Sequence, residues 1–245
     1  MSDASDAGAN AAQPAWSQAT LMTADPQPQP LRRCGLDEVG RGALAGPLVA
    51  AAVILPDDIR ERLGKLAPFL RDSKLTPRGK REAVALALRD HALAISLAVA
   101  PVSVIDQRGI GWANRDVFRR LISQIDADEY IVDGKVKPPA PIDRSARVRC
   151  MVKADAHTPA VSAASIIAKV YRDHLMVELS RAHGGYGWER NAGYGSAEHL
   201  TALRTLGPTQ HHRALFVATA LSGGQRAKHD RQHDAIADTE EPRLL

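Results

Sequence analysis

The sequence contains no apolar stretch of the roughly 18 or more residues that a membrane-spanning helix requires. Its N-terminal segment, MSDASDAGAN, also has no basic region followed by an apolar run, so we expect no secretory signal. We therefore predict a cytosolic location and no association with a membrane.

Cysteine is scarce. The two cysteines, Cys34 and Cys150, are too few for a disulfide framework, and a chain of this length without a secretion signal does not need one. We expect both to be small, buried, apolar side chains. The sequence also has no cluster of Cys and His, which argues against a zinc site.

The net charge of +4 is unevenly distributed along the chain. Residues 1–30 carry three Asp and no Lys or Arg, and residues 221–245 carry four basic and five acidic groups, so residues 31–220 have a net charge of +8. A basic central region favours a polyanionic partner such as a nucleic acid, although charge alone is a weak indication.

Two segments are too polar to fold alone. Residues 1–30 are rich in Ala, Pro, Gln, Ser and Asp, and residues 221–245 mix both signs of charge with few apolar side chains. We predict that both are disordered tails, and that residues 31–220 form one folded domain whose last part is a helical extension.

The central region alternates between apolar runs and amphipathic segments. The continuous apolar run at 47–55 suits a strand buried on both faces, and with 33–36 it predicts a hairpin in the middle of a sheet. Thr76-Pro77 and Thr158-Pro159 are each typical of a helix N-cap followed by proline at the first helical position. We predict strands at 33–36, 47–55, 92–100, 129–133 and 147–152, and helices at 77–88, 114–125 and 159–182. This order indicates an α/β fold with a mixed sheet.

Two adjacent carboxylates, Asp37 and Glu38, interrupt the first apolar strand. Their burial is unfavourable unless a cation compensates the charge, and a divalent metal is the simplest compensation. Successive strand residues face opposite sides, so one shared site requires a twist or a bulge, and an isolated Asp-Glu pair can also be solvated and idle. The following Gly40-Arg41-Gly42 favours a functional site, because glycines let the backbone approach phosphate or ribose oxygens.

Two further carboxylates complete a possible metal site. Asp133 ends a short apolar strand, where parallel strands present functional side chains, and Asp155 precedes the helix that begins after Thr158. Taken alone, Asp133 also fits a plain turn and Asp155 a solvated loop. As a set with Asp37 and Glu38, these oxygen ligands favour magnesium or manganese and the metal-assisted hydrolysis of a phosphodiester.

Several ordered motifs resemble the bacterial ribonuclease HII family, the type 2 ribonucleases H, over about residues 32–217. They are the block from Gly35 to Pro47, Asp72-Ser73-Lys74, Val132-Asp133-Gly134, Lys153-Ala154-Asp155, Ser162 to Lys169 with Arg172-Asp173, Asn191 to Gly195, and Gly207 to Phe216. The resemblance implies a ribonuclease H-like fold, with a central mixed five-stranded sheet flanked by helices and a C-terminal helical extension. It also implies an endonuclease that cleaves the RNA strand of RNA/DNA hybrids and nicks duplex DNA 5′ of embedded ribonucleotides.

The resemblance further implies roles for particular residues. Asp37, Glu38, Asp133 and Asp155 are expected to be catalytic and to bind Mn2+ or Mg2+. The residues expected to bind substrate are Gly40, Arg41, Gly42, Lys74, Lys169 and Tyr194. The glycine-flanked arginine segment is expected to sense the 2′-hydroxyl, and Tyr194 to stack on the sugar of the next deoxynucleotide. We expect a monomer, and the sequence indicates no partner protein.

Three positions depart from the family pattern: Ala154 where glycine is usual, Lys135 where asparagine is frequent, and Ala192 where lysine is frequent. Alanine at 154 is unfavourable only if the backbone there needs a positive φ, and Lys135 could offset the basic residue absent at 192.

Two alternative functions remain open from the sequence: an integrase-like or junction-cutting DNA nuclease of the same fold, and a catalytically silent hybrid-binding protein. The type 3 enzymes have a folded N-terminal module, for which residues 1–30 are too short and too polar.

Overall fold

The computed structural model describes residues 31–71, 73, 76–135, 138–139 and 147–222. The proposed substrate-binding residue Lys74 and residues 1–30 and 223–245 lie outside the described residues. The disordered tails and the domain boundaries therefore stay predictions.

The strands of the described residues form one five-stranded mixed sheet in the order β3-β2-β1-β4-β5. Strand β2 pairs antiparallel with both β1 and β3, whereas β4 pairs parallel with β1 and β5 pairs parallel with β4. The strand bounds are Arg33–Val39 for β1, Leu48–Ile54 for β2, Ala94–Ala100 for β3, Glu129–Asp133 for β4 and Val148–Met151 for β5. The predicted mixed sheet and its central hairpin are confirmed.

The second strand explains why residues 47–55 are apolar without alternation. Leu48 and Ile54 point into one core cluster, together with Leu121, whereas Val49 and Val53 point into a second cluster on the opposite face of the sheet. All seven residues of β2 are fully buried, because helices cover both faces. A strand covered on both faces has no solvated positions at which polar residues would be favourable.

The described residues form helices on both sides of this sheet and after it. We label them α1 (Ile59–Leu63), α2 (Arg78–His91), α3 (Val102–Arg108), α4 (Ile110–Gln124), α5 (Pro159–Ala182), α6 (Trp188–Asn191), α7 (Ala197–Leu206) and α8 (Ala214–Leu221), with 3-10 helices at Gly64–Phe69 and Ala154–Ala156. None of these helices combines the length and apolar character that crossing a membrane requires.

Two of the predicted helices differ from the structure at their starts. Helix α2 begins at Arg78, one residue later than predicted, and the Thr76 hydroxyl donates a hydrogen bond to the Phe69 carbonyl instead of capping the helix. Helix α4 begins at Ile110, four residues earlier than predicted, directly after Gly109 with its φ of 81°. The longest helix, α5, has the predicted bounds, although the side chain of Thr158 makes no capping hydrogen bond.

The start of α5 lies directly on the backbone of β1. A Cβ atom placed on Gly35 would come within 2.2 Å of the Ala160 carbonyl carbon and of the Val161 nitrogen. The absence of a side chain at Gly35 therefore permits this close approach, which places α5 beside the acidic end of β1. Residues 40–46, between β1 and β2, form what we call the glycine-rich segment. Farther along α5, Met176 packs with Leu44, Trp188 and Leu203 in a third apolar cluster that joins the C-terminal helices to this segment.

The two cysteines are free thiols, as predicted. Cys34 is fully buried in β1, and burial raises the pKa of its thiol to about 12. Cys150 in β5 is only half-buried, so the prediction of burial is confirmed for Cys34 and only partly for Cys150.

Candidate active site

Asp37 and Asp133 meet where the neighbouring strands β1 and β4 end. We call this end of the sheet, with Asp37, Glu38 and Asp133, the acidic edge. Strands β1 and β4 are parallel and Leu36 pairs with Val132, so the next residue of each strand reaches the same level. Asp37 is 7% exposed, and Asp133 is half-buried and accepts a 2.9 Å hydrogen bond from the Ala154 backbone N–H. The geometry thus brings two of the four predicted carboxylates to the carboxyl end of neighbouring strands.

The carboxyl group of Asp37 is strongly affected by its surroundings. Its pKa is raised from 3.8 to about 8. Burial is the largest cause, and the negative charges of Glu38 and Asp133 also raise the pKa. Hydrogen bonds from the Ser165 hydroxyl and from the Glu38 backbone N–H, the latter 2.8 Å long, act in the opposite direction but are outweighed. Asp37, Glu38 and Asp133 therefore form an acidic group in which ionisation of the Asp37 carboxyl is disfavoured.

Asp155 lies in the 3-10 helix Ala154–Ala156 and is also buried. Its backbone carbonyl accepts a 2.6 Å hydrogen bond from the Ser162 hydroxyl, which connects this short helix to α5. Because the neighbouring Ala154 N–H donates to the Asp133 carboxylate, the two acidic segments are joined by a hydrogen bond from backbone to side chain. The positive φ in this segment, 59°, falls on Lys153 and not on Ala154, so alanine at position 154 carries no backbone strain.

The donor chemistry of this edge fits a hard divalent cation. Its carboxylate oxygens are the ligands that Mg2+ and Mn2+ prefer, and a bound cation would stabilise the charged form of Asp37. Within the described part of the chain, however, no group of three or more Asp, Glu, His or Cys side chains is already arranged to hold a metal ion. The fold therefore supplies suitable donors near one another without presenting a finished coordination sphere.

Ser165 is a site residue to which the sequence motifs assigned no role. Its hydroxyl bonds to Asp37 and also lies 2.8 Å from the Ser73 hydroxyl, and both serines are buried. Arg81 in turn donates hydrogen bonds of 2.9 Å to the Ser73 and Thr76 carbonyls. Polar contacts thus connect Ser73 and Arg81 to the carboxyl group of Asp37.

Two of the predicted substrate-binding residues are in direct contact. The backbone N–H of Gly40 donates a 3.2 Å hydrogen bond to the Tyr194 hydroxyl. Gly40 has a φ of 90°, and Arg41 and Gly42, which follow it, are exposed. Lys169 lies nearby, with its Nζ 6.0 Å from the centre of the Tyr194 ring and 2.7 Å from a carboxylate oxygen of Asp173. These contacts form one surface beside the acidic edge.

Arg172 holds the glycine-rich segment from behind. It is fully buried and donates three hydrogen bonds of 2.8 to 3.0 Å to backbone carbonyls. A Cβ atom on Gly40 would meet its Nε at 2.2 Å, so only glycine fits there. The carbonyls belong to Pro47, Ala192 and Ala45.

Arg213 supports the same segment from the C-terminal side. It donates two hydrogen bonds to the Gly46 carbonyl and one to the Arg41 carbonyl, each 2.9 to 3.0 Å long. Burial lowers the pKa of its guanidinium to about 9, and the nearby charge of Arg172 lowers it as well. Both arginines lie in motifs found in the sequence, but no sequence pattern indicated that they would be buried.

A histidine network stabilises the segment that carries Tyr194. His199 Nδ1 lies 2.9 Å from the Tyr194 carbonyl, which it can only contact as a donor, so its Nε2 accepts from the Trp188 Nε1–H at 3.1 Å. His212 Nδ1 accepts from the Thr209 N–H at 2.9 Å, which leaves its Nε2–H to donate to His199 Nε2 at 3.0 Å. Both rings are neutral in this pattern, and burial lowers the pKa of His212 to about 4 and that of His199 in the same direction.

The chain is similar to known proteins over nearly all of the described residues. The sequence profile described as Ribonuclease HII matches residues 34–219. A Ribonuclease HII of Paramagnetospirillum magneticum is 45% identical over 190 residues, which cover 76% of this chain and 90% of the relative. A Ribonuclease HII of Thermosynechococcus vestitus is 41% identical over 191 residues, covering 78% of this chain and 86% of the relative.

Solved structures of similar proteins have the same fold. The ribonuclease H2 of Pyrococcus horikoshii is 26% identical with a TM-score of 0.64, covering 80% of this chain and all of that structure. The RNase HII in a PCNA complex from Archaeoglobus fulgidus is 28% identical with a TM-score of 0.62, covering 75% of this chain and 94% of that one. Bst-RNase HIII in complex with Mn2+ is 22% identical with a TM-score of 0.57, covering 80% and 71%, and shares the fold. The predicted ribonuclease H-like fold is confirmed.

Proposed function

Because the chain belongs to the ribonuclease HII family, we propose that it hydrolyses the RNA strand of RNA/DNA hybrids and nicks duplex DNA on the 5′ side of embedded ribonucleotides. The products are a 3′-hydroxyl and a 5′-phosphate. The observation that carries the proposal is the position of the acidic edge, with Asp37 and Asp133 at neighbouring strand ends, beside the contact between Gly40 and Tyr194.

The carboxylates Asp37, Glu38, Asp133 and Asp155 are proposed to bind a divalent cation, manganese or magnesium. When bound, such an ion lowers the pKa of a coordinated water and polarises the phosphate. The protein's own groups orient the ligands: the Ala154 N–H holds one oxygen of Asp133, and the Ser165 hydroxyl bonds to Asp37. Fixed ligands reduce the reorganisation required when the phosphodiester is attacked.

The substrate is proposed to lie across the surface formed by Gly40, Arg41, Gly42 and Tyr194. With the Tyr194 hydroxyl bound to the Gly40 N–H, the ring is held at the glycine-rich segment that is proposed to contact the ribonucleotide's 2′-hydroxyl. Tyr194 is 37% exposed as a residue, and its ring is proposed to stack on the next sugar. Lys169, and Lys74 outside the described residues, are proposed to contact phosphates.

The direct test uses duplex DNA that contains one ribonucleotide, incubated with Mg2+, with Mn2+ and with chelator. We expect a single nick 5′ of the ribonucleotide with metal and none with chelator. Asp133→Asn should reduce turnover by roughly 1000-fold or more, since it removes a negative ligand oxygen at the reacting centre. Asp90→Asn is the matched control, because Asp90 is exposed on α2.

Two results would contradict the proposal. Cleavage of an all-DNA duplex at comparable rates would favour the DNA nuclease of the same fold. Tight hybrid binding without cleavage in either metal would favour the silent binding protein. A cytosolic location stays a prediction that this assay does not address.

A further inference from the structure

A small polar cavity of about 130 Å³ lies between the start of α2, the middle of α5 and the short helix α6. Four basic side chains line it, against two acidic ones. The basic residues are Arg78, Arg81, Lys169 and Arg190, and the acidic residues are Asp173 and Glu189.

Every basic side chain of this cavity pairs with at least one carboxylate, and two of these carboxylates, Glu82 and Glu198, lie outside its lining. Lys169 and Arg81 both approach Asp173, at 2.7 Å and 3.7 Å, so two cations share one carboxylate. Arg78 forms an exposed pair of 3.2 Å with Glu82 one helical turn away. Arg190 likewise forms exposed ion pairs with Glu189 and Glu198. Exposed ion pairs contribute little free energy, so a phosphate group can replace a carboxylate as the partner of Arg78 or Arg190 at low cost.

The cavity adjoins the proposed substrate surface. Lys169 belongs to both, since its Nζ lies 6.0 Å from the centre of the Tyr194 ring. Ala192 also lines the cavity, whereas Lys135 does not. Backbone phosphates recur about every 3.4 Å along the axis of each nucleic-acid strand, so a strand whose sugar stacks on Tyr194 presents further phosphates within reach of the cavity.

We propose that this cavity binds a backbone phosphodiester of the strand that Tyr194 contacts, with Arg78 and Arg190 as ligands in addition to Lys169. The proposal rests on the proposed function, and it assigns to Arg78 and Arg190 the role of the basic residue that is absent at Ala192. Arg81 is held by its hydrogen bonds to the Ser73 and Thr76 carbonyls and contributes charge from a fixed position.

The test compares Arg78→Gln with Arg62→Gln. Arg62 is a matched control because it also forms an exposed ion pair one helical turn away, with Asp58, but it does not line the cavity. The dissociation constant for an RNA/DNA hybrid is measured in chelator, without cleavage, from 50 to 300 mM salt. We expect Arg78→Gln to weaken binding severalfold at low salt and to reduce the salt-dependence slope by about 1, the value for one lost phosphate contact.

Arg62→Gln should leave both quantities at the wild-type values. Arg190→Gln serves as a second variant on another wall of the cavity, and thermal melting of each variant checks that the fold is intact. Equal slopes for wild type, Arg78→Gln, Arg190→Gln and Arg62→Gln would overturn the phosphate site while leaving the proposed function intact. Absence of nicking by the wild-type protein in both Mg2+ and Mn2+ would instead overturn the proposed function.

Discussion

The acidic edge of the sheet and the support behind the glycine-rich segment both bury ionisable groups, but with opposite results. At the acidic edge, Asp37 is buried next to two further carboxylates, and its pKa rises to about 8. Behind the glycine-rich segment, Arg172 and Arg213 are buried with all their described hydrogen bonds directed at backbone carbonyls. Burial disfavours the charged form in both regions, but the two guanidiniums are hydrogen-bonded to backbone carbonyls, whereas Asp37 faces two further carboxylates where a cation is proposed to bind.

The difference teaches which region opposes folding and which one supports it. A carboxyl whose pKa is raised in the folded state contributes most stability below its unfolded value of 3.8 and loses that contribution as the pH rises through about 8. A histidine whose pKa is lowered, such as His212, contributes stability above 6.5 and loses it as the pH falls through about 4. The contributions of Asp37 and of the histidine network to the free energy of unfolding therefore change with pH in opposite directions.

The largest expected effect is that of Asp37→Asn. It should abolish cleavage, by roughly 1000-fold or more, while stabilising the metal-free protein by roughly 2 kcal/mol at pH 7, because a neutral amide replaces a buried group that resists ionisation. Chemical denaturation in chelator measures the stability, and the nicking assay measures the activity. Loss of stability would show that the Asp37 carboxyl supports the fold, which would remove the contrast between the two regions.

A smaller effect is expected from Arg172→Met. The substitution leaves the carbonyls of Pro47, Ala192 and Ala45 without their donor, and we expect it to lower the free energy of unfolding by roughly 3 kcal/mol. Arg181→Met is the control on the same helix, because Arg181 is 69% exposed and should change stability by about 0.5 kcal/mol or less. Equal effects of the two variants would contradict a supporting role for Arg172.

The smallest effect is the pH dependence of the histidine network. Between pH 7 and pH 4.5 the wild-type protein should lose roughly 2 kcal/mol more stability than His212→Gln, since protonation of the buried ring is disfavoured in the folded state. Urea unfolding at the two pH values gives the difference, in which the opposite contribution of Asp37 cancels. If the two proteins respond equally, His212 carries no such pKa shift.

The local elements were predicted well where the sequence pattern is strong. Helix α5 has its predicted bounds and β4 has both of its predicted ends, because proline, glycine and hydrophobic periodicity act within a few residues. The start of α4 was predicted wrongly, because the helix begins at Ile110, directly after Gly109 and four residues before the apolar spacing becomes regular. The site carboxylates were predicted from their motifs, whereas no role was predicted for Ser165, because its contact with Asp37 exists only in the folded chain.

The sequence by itself determined the order of the strands and of the three longest helices, the family and the acidic residues, because these depend on side-chain chemistry and on spacing along the chain. It did not predict the short helices α1 and α3. Only the tertiary structure decided that Arg172 lies behind Gly40, that Tyr194 bonds to the same glycine, and that burial and neighbouring carboxylates raise the pKa of Asp37. These properties depend on burial and on partners more than 100 residues away, as in the contact between residues 40 and 194. The loss of water around Asp37 and its interaction with neighbouring charges arise only when the chain folds, so they cannot be read from the sequence.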